Sequence, residues 1–71
     1  MLKLSARNQF AGTILEVRKG ATTAHVRIEA APVVVFTASI TNESAEELGL
    51  AIGGRAVAVV KASDVMVGTE G

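Results

Sequence analysis

From Thr22 to Glu29 the chain alternates without a break. Ala24, Val26 and Ile28 fall on one side of an extended backbone, and His25, Arg27 and Glu29 fall on the other. Such period-two alternation predicts a strand with one face on a core and one face in water. The flanking segments follow suit. Residues 8–19 read as a strand that ends at Lys19-Gly20-Ala21, and this turn makes a hairpin of 8–19 and 22–30. Within it Ile14-Leu15-Glu16-Val17-Arg18 carries apolar residues on both faces, which predicts a strand covered on two sides. Ala30-Ala31-Pro32 closes the hairpin, because Pro32 has no N–H to give to a sheet.

Val33 to Ile40 is rich in β-formers and reads as a third strand. Ser44 with Glu47 three residues on predicts a capping box, with Glu46 and Glu47 at the positive end of a short helix. Gly49 is placed to end that helix in a left-handed cap. Leu48 and Leu50 are placed to plug one end of a small core. After the turn Ala51-Ile52-Gly53-Gly54-Arg55 come a fourth strand, Ala56 to Lys61, and a fifth, Val65-Met66-Val67. Gly68 to Gly71 reads as a frayed tail. Five short strands with one short helix between strands 3 and 4 predict an all-β fold, a five-stranded Greek-key barrel of the OB type.

The chain has 71 residues, enough for a single domain spanning 1–71. A chain of this size buries only about 60–65% of its unfolded surface, so its core is marginal. It has no cysteine to staple it, and 49% of its residues are hydrophobic. Burying the surplus against further copies of itself is the common remedy. The formal net charge is zero and the only aromatic residues are Phe10 and Phe36. That combination argues against a nucleic-acid partner, which calls for a basic surface and stacking rings. No apolar run is long enough to span a bilayer. No long apolar segment follows Lys3 as a signal peptide would require, so the expected location is cytoplasmic.

Catalytic constellations are not apparent. His25 sits mid-strand beside Arg27 and Glu29, where a solvent-facing or interface role accounts for it better than a triad. One histidine without cysteine argues against a zinc site, and no glycine-rich phosphate loop occurs. The chain therefore reads as a non-enzyme. Two polar segments remain. Ser5-Ala6-Arg7-Asn8-Gln9 and Lys61-Ala62-Ser63-Asp64 each set one cation among small hydroxyl or amide side chains. Residues two apart on extended backbone share a face, so Ser5 converges with Arg7, and Lys61 with Ser63. Ala6 and Ala62 leave room for a ligand to reach backbone N–H groups. This is the equipment for a small multiply charged anion. The same residues also suit ordinary strand ends with solvated charges. Thr41, before the predicted helix, and the turn Lys19-Gly20-Ala21-Thr22 are weaker anion candidates.

Ser5-Ala6-Arg7-Asn8-Gln9, Gly12-Thr13, Ile40-Thr41-Asn42-Glu43-Ser44 through Leu48-Gly49-Leu50, and Lys61-Ala62-Ser63-Asp64-Val65-Met66, in this order, resemble the molbindins. These are the stand-alone Mop domains of the TOBE group. The resemblance covers residues 3 to about 67. It implies an OB-like barrel of the bacterial cytoplasm that binds molybdate or tungstate at subunit interfaces, with no organic cofactor. It implies a homohexamer arranged as a trimer of dimers, serving molybdenum storage and homeostasis. It carries over Ser5, Ala6, Arg7, Asn8, Lys61, Ala62 and Ser63 as oxyanion-binding residues, and Thr41 with them. The Ala30–Val35 segment is more apolar than the resemblance leads one to expect. An OB-fold nucleic-acid binder and a purely structural oligomerisation module stand as alternatives. Sedimentation at micromolar concentration is expected to show an assembly; a monomer would contradict the inference from composition.

Overall fold

The computed structural model describes residues 8–70. Four strands, β1 (Asn8–Lys19), β2 (Thr23–Ala31), β3 (Val34–Thr41) and β4 (Arg55–Val60), form one antiparallel sheet in the order β3-β2-β1-β4. Three consecutive strands meander and the fourth returns beside the first, which is Greek-key connectivity. A short helix, α1 (Asn42–Glu47), links β3 to β4. The fold is thus all-β and OB-like, a curled half-barrel.

β1 serves two partners. Asn8 to Thr13 pair with β4, and Thr13 to Lys19 pair with β2, so Thr13 faces both Arg55 and Glu29. The turn of the strand between these partners occurs where Gly12 lies against β2. A Cβ there would stand 2.8 Å from Ile28 Cγ2 and closer still to the Glu29 carbonyl oxygen. Only glycine allows this approach. Just beyond, the register steps from Ile14↔Ile28 to Glu16↔Arg27, leaving Leu15 as the extra residue of a β-bulge. The bulge explains the apolar residues on both faces of this segment. It lets Ile14 and Val17 both turn inward despite their odd spacing, while Leu15 is left 38% exposed rather than covered by the chain itself.

The core is small. Ile14, Val26 and Ile28 form its buried centre, with Val17, Ile40, Leu50, Ala56 and Ala58 packed around it. Ala24, Val26 and Ile28 point inward and His25 and Arg27 are exposed, as the alternation predicts. One side stays open. A groove of about 320 Å³ runs along the concave face, lined mainly by apolar side chains including Phe36, Ile40, Leu48 and Val60.

Three local expectations need correction. The helix begins before Ser44: Thr41 is its N-cap, accepting from the Ser44 N–H at 3.0 Å. Asn42 fixes that start. Its N–H bonds to Thr22 O and its Nδ2 to Gly20 O, both at 2.9 Å, tying the first turn to the β1–β2 loop. Glu43 therefore occupies the first turn, while Glu46 and Glu47 fall at the far end, where Lys19 pairs with Glu46 at 3.2 Å. Gly49 ends the helix as expected, with φ of +64°, and the bonds Gly49 N–H to Glu46 O and Leu50 N–H to Ala45 O make a Schellman motif. Leu50 then packs on the core but Leu48 remains 69% exposed.

The second correction is the fifth strand. Val65–Val67 forms no strand among the described residues; a single 3₁₀ turn, Ala62–Asp64, leads into it, and Met66 is 94% exposed. No free ladder position within the described chain receives it. The third concerns the β2–β3 turn. Pro32 does end the hairpin, but Val33 takes a φ of 57° at 95% exposure. This is the position of a proline-led turn that favours glycine or asparagine, and a β-branched side chain there is strained.

Two substitutions test these features in urea titrations at fixed protein concentration. Gly12→Ala is expected to lose about 2 kcal/mol or more, because backbone must move to admit the methyl group. Val33→Gly is expected to gain about 1 kcal/mol by relieving strain at a site where the side chain packs on little.

Candidate functional site

Two of the sequence-predicted segments meet at one end of the sheet. Asn8 is the Cα partner of Val60, and its Nδ2 donates to the Val60 carbonyl at 3.2 Å. Lys61 follows Val60 directly. The chain that carries Arg7 thus joins the sheet opposite the point where Lys61 leaves it. Ser5, Ala6 and Arg7 themselves lie outside the described residues.

Lys61 leaves β4 in an extended conformation and caps the 3₁₀ turn. The Asp64 N–H returns to Lys61 O at 2.9 Å and the Val65 N–H to Ala62 O at 3.3 Å. A turn of this kind does not use the N–H groups of its first residues, here Ala62 and Ser63. Lys61, Ala62 and Ser63 are all exposed. The charge balance around them is uneven. Arg18 and Arg27 pair with Glu16, Lys19 pairs with Glu46, and Arg55 donates to Thr13 Oγ1 at 2.9 Å. Lys61 has no side-chain partner among the described residues. A cation with no ion-pair partner beside unspent N–H groups can attract an anion, with the Asp64 carboxylate of the same turn standing against it, while exposure on a single chain leaves the anion half in water.

Thr41 is elsewhere. It pairs with Thr23 at the far end of β2, next to the end of β1 opposite Asn8. The twelve residues of the curled β1 lie between the two ends. One chain therefore does not bring Thr41 to Lys61. Its hydroxyl is also occupied, accepting from the Ser44 N–H and donating to Ser44 Oγ at 2.9 Å. The Gly20 turn is similarly committed: Gly20 N–H bonds to Thr23 O at 2.7 Å, and Gly20 O receives Asn42. A shallow depression lined by Arg18, Lys19, Gly20, Thr23 and His25 lies there, its two cations already paired with carboxylates. Among the described residues no three His, Asp or Glu side chains gather to hold a metal ion. No helix of the described residues is long and apolar enough to cross a membrane.

Sequence reasoning found both polar segments but not the contact that joins them. Val60 carries no chemical signal of its own; its part is a backbone carbonyl, set by a register that composition does not specify.

The sequence matches the TOBE domain over residues 4–67. It is 48% identical over 69 residues to the molybdenum transport protein ModE of Azotobacter vinelandii, covering 97% of this chain and 26% of that protein. The chain therefore spans about a quarter of the length of that relative. It is 42% identical over 66 residues to molybdenum-pterin-binding protein 2 of Clostridium pasteurianum, covering 93% of this chain and 97% of the other. Its fold superposes with a TM-score of 0.87 on the cytoplasmic molybdate-binding protein ModG, in a crystal form with molybdate bound. That match is 40% identical and covers 92% of this chain and 46% of ModG.

Replacing Thr41 by Ala is expected to cost about 1 kcal/mol of stability through the lost cap, while Thr41→Ser keeps most of it. Urea titration of the pair separates a capping role from a purely ligand-binding one, which would leave stability unchanged.

Proposed function

This chain belongs to the TOBE domain family, and we propose that it binds molybdate or tungstate as a free oxyanion at interfaces between copies of itself, without catalysing a reaction. The Asn8–Val60 pairing carries the proposal, because it sets the point where the Ser5–Arg7 segment joins the sheet beside Lys61, which has no ion-pair partner among the described residues. Arg7 supplies a planar fork of donors and Lys61 a compact point charge. Ser5, Ser63 and the backbone of Ala6 and Ala62 supply hydrogen bonds to the oxygens, and Asn8 stands beside them. Each bond to a dianion is charge-assisted and roughly twice as strong as a neutral one.

Two features favour a shared site. The Lys61 turn is too exposed in one chain to enclose an anion. The chain also leaves an apolar groove and the apolar Val65–Val67 segment uncovered. Assembly into a homohexamer, a trimer of dimers, covers such surface and lets the expected fifth strand find a ladder. It also offers Thr41 of one copy a route to the Lys61 turn of another. The whole chain acts as one domain in the cytoplasm, as a store or buffer of the oxyanion. A relative's name couples molybdenum with a pterin; here the two phenylalanines are committed to each other. Phe10 and Phe36 are stacked on each other, with centroids 4.9 Å apart.

Sulfate matches molybdate in charge and shape, so discrimination must come from size, set by a turn anchored at the end of β4. Calorimetric titration of molybdate in excess sulfate is expected to show saturable binding near one anion per subunit. Equal competition by sulfate would contradict a size-selective site. Arg7→Ala is expected to abolish binding. Lys61→Ala should weaken it less and change stability by no more than about 0.5 kcal/mol, because this lysine is exposed and unpaired among the described residues.

A further inference from the structure

We propose that Asn8 is a positioning residue rather than a ligand, its side-chain amide fixing the direction in which the Lys61–Asp64 turn leaves the sheet. This rests on the oxyanion reading above and deepens it. Asn8 and Val60 form the last rung between β1 and β4 among the described residues. At that rung the Asn8 side chain donates to the Val60 carbonyl at 3.2 Å and is itself partly buried. The carbonyl belongs to the peptide group that joins Val60 to Lys61. In the ladder this carbonyl already accepts the Asn8 N–H, and the side chain adds a second hold on the plane of that peptide, and with it on the starting direction of Lys61 at φ −64° and ψ 141°.

One hydrogen bond further on, Asp64 N–H to Lys61 O closes the turn at 2.9 Å. Asn8 Nδ2 to Val60 O and Asp64 N–H to Lys61 O thus act in series, the first setting the peptide plane and the second the turn built on it. The position calls for a neutral donor on a short stem. A carboxylate would set oxygen against oxygen, and a methyl group would leave the carbonyl with only the backbone N–H of the ladder at a strand end where Lys61 is exposed. In binding terms, loss of the clamp leaves the ligand groups present but spread over many directions, and their ordering must then be supplied on association.

The test uses the full chain with two variants, Asn8→Ala, which removes the donor without adding charge, and Asn8→Asp, which exchanges it for an acceptor. Molybdate affinity is measured by calorimetry. Exchange of the Asp64 and Val65 amides is followed by NMR in anion-free protein, with Val26 and Ile28 as internal references. The expected result is an affinity loss of about tenfold in both variants. It is accompanied by several-fold faster exchange at Asp64 before any anion is added, with the reference amides unchanged. Affinity lost with Asp64 exchange unaltered would make Asn8 a direct ligand and overturn the proposal. So would faster exchange with affinity intact, or a loss confined to Asn8→Asp, which reports charge repulsion alone. Wild-type protein silent to molybdate would overturn the oxyanion reading itself, whatever the variants do.

Discussion

A single strand divided between two partners organises this molecule. β1 gives its first half to β4 and its second half to β2, and Thr13 belongs to both. A flat strand paired on both edges would leave its two neighbours on opposite sides of a plane, with no enclosed face. The close approach at Gly12 and the extra residue at Leu15 supply the curl. Curling turns the inward faces of β2 and β4 toward each other, so that Ile28 and Ala56, distant in sequence, share one small core.

The same device leaves the work of enclosure unfinished. Among the described residues the buried cluster is Ile14, Val26 and Ile28, while Phe10, Val59 and Val65 to Val67 stay in contact with water. A chain whose residues are 49% hydrophobic with so slight a core has surface to hide. An anion site at the edge of such a surface gains from assembly twice. The charges of several chains are brought to one ligand, and the water that would screen them is displaced. Bound anion in turn stabilises whatever assembly forms it, by about 2.7 kcal/mol per site at a hundredfold excess over the dissociation constant. Fold and function are in this sense one equilibrium.

Much of the architecture could be read from residue order. The alternation through Ala24, Val26 and Ile28 and the stop at Gly49 follow from local rules that the structure obeys, and the all-β, OB-like class was legible although a fifth strand was expected with it. What escaped depended on tertiary context. Ser44 and Glu47 spell a capping box as clearly as Thr41 and Ser44 spell a cap. The choice falls to Asn42, whose bonds to the β1–β2 loop have no local signature. The bulge at Leu15 reads in sequence as a two-sided strand. Val33 sits at a positive φ that its side chain argues against. Val65–Val67 has the composition of a strand but no partner among the described residues. At the candidate site, the cations and hydroxyls were visible as residue types. The pairing of Asn8 with Val60 was not, since register is settled by the whole sheet.

The most direct test of the account is where the anion sits. Crystals grown with tungstate, measured at a tungsten absorption edge, would locate the metal by anomalous scattering. The account predicts a peak beside the Lys61–Ser63 turn, within hydrogen-bonding reach of Arg7 and of a second copy of the chain. Anomalous density confined to the Lys19–Thr22 loop, or absent while the Lys61 turn stands ordered and accessible, would contradict it.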